Sequence, residues 1–172
     1  MSRLAVVIFG PESAGNHLLV ECMVRAGCQG DSANPYYWDK QSPGANRVVE
    51  GKSIPFADTW PDITAIIERW QSRGYAVRIV VITRNWPVLM RSQVSHRHVR
   101  DATESRQSLQ RAYCYIFAAI DRHRVEYAIC HYDRLVAEPD AELGGLLDWL
   151  GLPRIDTRFI YDGNRHYAED PA

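Results

Sequence analysis

Short apolar runs alternate along this chain with stretches whose apolar residues recur at helical spacing. Leu4, Ala5, Val6, Val7, Ile8 and Phe9 form an apolar, partly β-branched run that predicts a buried strand. The turn-rich hexapeptide Gly10-Pro11-Glu12-Ser13-Ala14-Gly15 follows. From Asn16, apolar residues at Leu18, Leu19, Cys22, Met23 and Ala26 predict a helix, with Gly27 as its stop. Arg47-Val48-Val49-Glu50 predicts a short strand, and Gly51 to Phe56 a loop. Asp58-Thr59-Trp60-Pro61-Asp62 opens a second helix with Pro61 in its first turn, a stripe of Ile63, Ile66, Ile67 and Trp70, and Gly74 as its stop. Residues 76–83 are the strongest strand, and their near-continuous apolar tail predicts an interior place in a parallel sheet. Helices are expected from Trp86-Pro87 and from about 102 to 122, where Leu109, Ala112, Tyr113, Ile116, Phe117 and Ile120 share one face. Residues 126–131 read as a strand, and Leu143, Leu146, Leu147 and Leu150 as a helix stopped by Gly151.

The order is β-α-β-α-β-α-α-β-α. It predicts one three-layer α/β domain over residues 1–172, with an open, mainly parallel sheet of four or five strands and helices on both faces. Residues 152–172 have no clear periodicity and read as a tail over the domain. Such sheets bind ligands at the carboxyl ends of their strands. That rule picks out the loop after Phe9, the loop after Glu50, Arg84 after Thr83, and Tyr132-Asp133 after His131. The long irregular stretch 28–46 reads as a functional or mobile loop, with Trp38 expected to pack and the roles of Tyr36 and Tyr37 open.

Composition narrows the picture. Hydrophobic content of 46% and charged content of 24% are those of a globular protein, and a net charge of −1 gives no general attraction to nucleic acid. The only lysines are Lys40 and Lys52; arginine, whose planar fork suits phosphate and sulfate, supplies the other cations. Cys22, Cys28, Cys114 and Cys130 form no C-x-x-C pair and are expected as buried free thiols in a reducing compartment. The opening apolar run is too short for a signal peptide, and no run approaches the ~20 residues that span a bilayer. A cytoplasmic protein with no membrane partner and no zinc cluster is therefore expected. Oligomeric state leaves no mark on the sequence.

Strand, glycine loop and helix together build an anion site, because loop N–H groups and the positive helix end converge. The spelling here is G-x-x-x-x-G, yet Asn16 and His17 stand where a nucleotide triphosphatase has Lys and Ser/Thr, which argues against ATP hydrolysis. The plainer alternative is a strand-to-helix turn with glycines that relieve strain. Arg84 at a strand end, with Ser92 on the following helix, can hold one phosphate from two sides. The alternative is an Arg paired with a neighbouring acid.

Residues 79–85 with Ser92 resemble the 3′-phosphate motif of PAPS-dependent sulfotransferases, in which Ser follows Arg by eight positions. The loop from Gly10 to His17 is similar to that family's 5′-phosphosulfate loop. Tyr132-Asp133-Arg134-Leu135 through Pro139, with Leu146 to Pro153, is similar to its third block. The resemblance implies a P-loop NTPase-like fold that binds PAPS (3′-phosphoadenosine 5′-phosphosulfate) without metal. Gly10, Ser13, Ala14, Gly15, Asn16 and His17 would hold the 5′ end, Arg84 and Ser92 the 3′-phosphate, and Arg165 a closing segment. His17 and Lys52 would supply catalytic charge for sulfuryl transfer to a hydroxyl or amine on a small-molecule or glycan acceptor. The departures are Glu12 where the family has a base, a loop one residue longer, proline at 87 rather than 86, and no base His near Ser53-Ile54-Pro55. His96, His98 and Asn164-Arg165-His166 are further candidates. A P-loop kinase-like phosphotransferase and a non-catalytic anion- or partner-binding descendant remain as alternatives.

Overall fold

Strand β1 (Arg3–Gly10) runs between two parallel neighbours, β2 (Arg47–Ser53) on one side and β3 (Tyr75–Thr83) on the other. A computed structural model of the chain describes residues 3–31, 44–56 and 59–167; the run Tyr36-Tyr37-Trp38 lies outside them. β4 (Glu126–His131) pairs with β3 and closes an all-parallel sheet in the order β2-β1-β3-β4. The helices are α1 (Asn16–Arg25), α2 (Ile63–Ser72), α3 (Trp86–Ser95), α4 (Ala102–His123), α5 (Tyr132–Ala137) and α6 (Pro139–Leu150). A 3-10 turn, Gly163–His166, follows.

Strand alternation sorts the apolar residues into two cores. Val6, Ile8, Val80 and Ile82 face α1, α5 and α6, while Ala5, Val7, Phe9, Ile79 and Val81 face α2 and α4. Helices therefore cover both faces, as the alternating pattern predicts. Glu50 is the charged residue set into the second core. Its carboxylate is fully buried and held by the Arg69 guanidinium, by Trp70 Nε1 at 2.9 Å and by Lys52 Nζ at 3.6 Å. Among the described residues, no helix is long and apolar enough to cross a membrane.

Several local expectations are corrected. β2 runs on to Ser53, because Gly51, Lys52 and Ser53 keep pairing with Ile8, Phe9 and Gly10 despite their low strand propensity. Pro61 lies before α2 rather than in its first turn. Asp62 is the N-cap, its side chain accepting from Ala65 N at 3.0 Å. The six-residue α5 follows β4 directly, too short to show a period and ended by Pro139. Cys114 is exposed, because it lies on the outer face of α4, whereas Cys22, Cys28 and Cys130 are buried.

The chain passes from β1 to β2 on one side, then crosses back over β1 to β3 and β4. The strand order thus reverses between β1 and β3, and the carboxyl ends of these two strands bound the crevice where open α/β sheets take ligands.

Candidate functional site

The turn that leaves β1 is tight: Ala14 N donates to the Pro11 carbonyl at 3.2 Å, and Ser13 has φ +67°. Gly15 follows with φ +107°, and a Cβ there would lie 2.5 Å from Tyr132 Cδ2, so α5 packs against bare backbone. Gly15 is also the N-cap of α1. No side chain caps that helix, and no acid stands in its first turn, so its leading N–H groups and positive dipole end are left for an anion.

Asn16 is 3% exposed and braces the turn from within. Its Nδ2 lies within 3.2 Å of the Gly10 carbonyl, 3.3 Å of the Pro11 carbonyl and 3.0 Å of Ser53 Oγ. Both amide hydrogens are therefore engaged inside the loop, and Oδ1 is buried without a hydrogen-bond partner among the described residues. Glu12 takes its carboxylate the other way, with Oε2 3.3 Å from His98 Nδ1. Gln93 Nε2 donates to the Glu12 carbonyl at 3.0 Å and ties the turn to α3.

Arg84 is the hub that joins the elements. It is 8% exposed, donates from Nη1 to the Ser13 carbonyl at 2.7 Å, and from Nε to Asn164 Oδ1 at 2.8 Å. Asn164 Nδ2 donates in turn to Asp133 Oδ1 at 2.9 Å, and Asp133 Oδ2 accepts from Asn85 N at 2.6 Å. The guanidinium lies 4.6 Å from the Tyr132 ring centroid and 5.7 Å from that of Tyr167. Gly163 N donates to the Tyr132 hydroxyl at 3.0 Å, so the tail folds down onto the β3 end. Burial is the main force raising the Tyr132 pKa, partly offset by the Gly163 hydrogen bond and by Arg84, and the phenol stays neutral.

These groups surround a cavity of about 410 Å³. Of the residues expected from the sequence, Ser13, Gly15, Asn16, His17, Arg84 and Ser92 line it together. Gly10 and Ala14 lie beneath the loop, with Ala14 fully buried. His17 stands at the mouth, and partial burial lowers its pKa below the ordinary value. Lys52 is not brought in. It shares a strand face with Glu50 and points to the α2 side, whereas Ser53, one residue on, reaches the cavity. Arg165 is exposed on the 3-10 turn and is not part of the lining. Trp86 is also outside it, stacked on Tyr113 with centroids 6.3 Å apart.

Ser53, Tyr161 and Tyr167 line the cavity without having been singled out in the sequence. The tyrosines lie in a tail with no periodicity, and Ser53 in a strand extension of low propensity. Among the described residues no acid lines the cavity, and the lining offers backbone N–H groups, hydroxyls, imidazoles and the Arg84 guanidinium. That donor set suits a polyanion. The sequence matches no protein-family model, and no curated protein matches it.

Proposed function

We propose that the chain is a sulfotransferase-like protein of the P-loop type. It would bind PAPS in this cavity and transfer the sulfuryl group to a hydroxyl or amine of a small-molecule or glycan acceptor. One observation carries the reading: Arg84 and Ser92 share a cavity with the loop from Ser13 to His17, and Arg84 is bonded to that loop's carbonyl. The two motifs that resemble the two ends of a PAPS site thus meet at the switch point of a parallel sheet.

In this reading the 5′-phosphosulfate lies on the N–H groups that open α1, and the 3′-phosphate on Arg84 and Ser92. The acceptor oxygen or nitrogen attacks sulfur in line, the bond from sulfur to the bridging oxygen breaks, adenosine 3′,5′-bisphosphate leaves, and the acceptor's proton passes to water. The chain contributes position and charge at that leaving oxygen. His17, at the loop's edge, is the side chain that would donate there once an anion restores its proton. No metal takes part in this scheme, and no nucleic acid or membrane surface is invoked.

A second reading, a non-catalytic anion- or partner-binding descendant, draws on the engaged Asn16 amide and on Lys52 facing away from the cavity. A kinase-like phosphotransferase ranks below both, because Asn16 and His17 occupy the places of its lysine and its Mg²⁺-holding hydroxyl. Calorimetry with adenosine 3′,5′-bisphosphate on the wild type and Arg84→Ala decides between them. Tight binding lost in the variant supports PAPS, and binding of ATP with Mg²⁺ instead supports the kinase. Bisphosphate binding with no sulfuryl transfer in an acceptor screen leaves the non-catalytic reading.

A further inference from the structure

We propose that His96 is a third ligand of the phosphate taken by Arg84 and Ser92, binding in its protonated form. It would favour adenosine ligands that carry a 3′-phosphate over those that lack one. The inference rests on the reading of the cavity given above.

Ser92 is 2% exposed, lines the cavity, and its hydroxyl has no hydrogen bond among the described residues. Four residues on, at the C-cap of α3, His96 lines the cavity as well. Its Nδ1 is 2.8 Å from the Ser92 carbonyl. A carbonyl oxygen only accepts, so Nδ1 carries the proton and the ring orientation is fixed. Nε2 is then the ring atom left to take a second proton. Neutral, it presents a lone pair that an anion would meet unfavourably; protonated, it presents a charged N–H donor.

The surroundings favour the second state once a dianion enters. Tyr167 places its hydroxyl 3.2 Å from Nδ1 and 3.5 Å from Nε2 of His96, and its ring 5.7 Å from the Arg84 guanidinium carbon. His98 stacks on His96 at 5.8 Å and is itself matched with the Glu12 carboxylate. Among the described residues, Arg84 and His17 are the other cationic side chains on the lining, and none of the lining residues is acidic. An incoming phosphate would therefore be the anion that stabilises the His96 imidazolium, with Arg84, Ser92 and His96 as a three-sided clamp.

The test compares wild type and His96→Gln by calorimetry with adenosine 3′,5′-bisphosphate and adenosine 5′-monophosphate from pH 6 to 8.5. Taking the ratio of the variant's to the wild type's dissociation constant for the same ligand at each pH cancels the ligand's own titration. The variant is expected to bind the bisphosphate about tenfold more weakly at pH 6, the deficit closing by pH 8.5, with no change for the monophosphate. His98→Gln is expected to behave as wild type. Equal bisphosphate affinity in wild type and His96→Gln at pH 6, or a deficit that does not vary with pH, overturns the proposal. Failure of the wild type to bind the bisphosphate at any pH overturns the reading of the cavity, and the clamp falls with it. Ring ¹⁵N shifts of the wild type at pH 6 give an independent check if the variant folds poorly: the bisphosphate should move the His96 Nε2 signal towards the imidazolium position, and an unmoved signal overturns the clamp.

Discussion

The Arg84 guanidinium donates to the Ser13 carbonyl at 2.7 Å, so the end of β3 holds the turn that leaves β1. A side chain that reads as an anion ligand is thus also part of the loop's own architecture. Arg84→Lys keeps the charge but gives up the fork that reaches Ser13 and Asn164 at once. The variant is expected to lose about 1–2 kcal/mol of stability in urea titration, the size of one or two such hydrogen bonds. Bisphosphate affinity should fall at least tenfold. Unchanged affinity in Arg84→Lys would mean that charge alone suffices and the fork is irrelevant.

Gly15 separates backbone strain from packing. Its φ of +107° disfavours any side chain, and an added Cβ would lie 2.5 Å from Tyr132 Cδ2. Gly15→Ala is expected to cost about 3 kcal/mol, from strain and overpacking together. Gly74 has φ +79° with open space around it, so Gly74→Ala should cost only about 1 kcal/mol. Denaturant unfolding of the two variants measures the difference, and equal losses would show that the Tyr132 ring yields.

Much of this arrangement could be read before any coordinates. The apolar runs of β1 and β3 are continuous because central parallel strands are buried on both faces, and the rule about carboxyl ends then leads to the loop and Arg84. Lys52 reads from sequence as a catalytic charge because the strand pattern ends at Glu50. Only the continued pairing of Gly51–Ser53 with β1 reveals that Lys52 turns with Glu50 to the α2 side and Ser53 to the cavity. Tyr161 and Tyr167 belong to a tail whose position depends on contacts with Arg84, Tyr132 and His96, and contacts of that kind have no period in sequence.

Glu50 offers a stability test that leaves the cavity alone. Its carboxylate is fully buried between Arg69, Lys52 and Trp70, so Glu50→Gln removes the anion and leaves two cations beside a neutral amide. A loss of about 3 kcal/mol is expected by urea titration, with bisphosphate affinity unchanged because the cluster lies on the opposite sheet face. A combined loss of affinity and stability would tie Lys52 to the ligand after all.

The cysteines predict a labelling pattern. Burial pushes the thiol pKa of Cys22 up to about 12 and that of Cys28 up to about 11, and raises that of Cys130 as well, so none of the three offers thiolate near neutrality. Cys114 is exposed. One of the four thiols should react quickly with an aromatic disulfide reagent in the native protein, and all four after unfolding. Cys114→Ser should abolish the fast reaction, and residual fast labelling in that variant would place another thiol at the surface.

His17 gives the loop a pH signature whose sign follows from its environment. Burial lowers its folded pKa below the unfolded value of 6.5, so between the two values the unfolded chain binds more protons than the folded one. Stability contributed by this group is present above the unfolded pKa and is lost as pH falls through 6.5 towards the folded value. An anion at the opening of α1 reverses the pressure, because it favours the imidazolium. Between pH 7.5 and 5.5 the urea midpoint of the wild type should therefore fall further than that of His17→Gln. Adding adenosine 3′,5′-bisphosphate should shrink the wild type's acid-side loss and leave the variant's slope as it was. If the ligand stabilises both proteins equally at every pH, His17 takes no proton on binding, and its role at the leaving oxygen is lost.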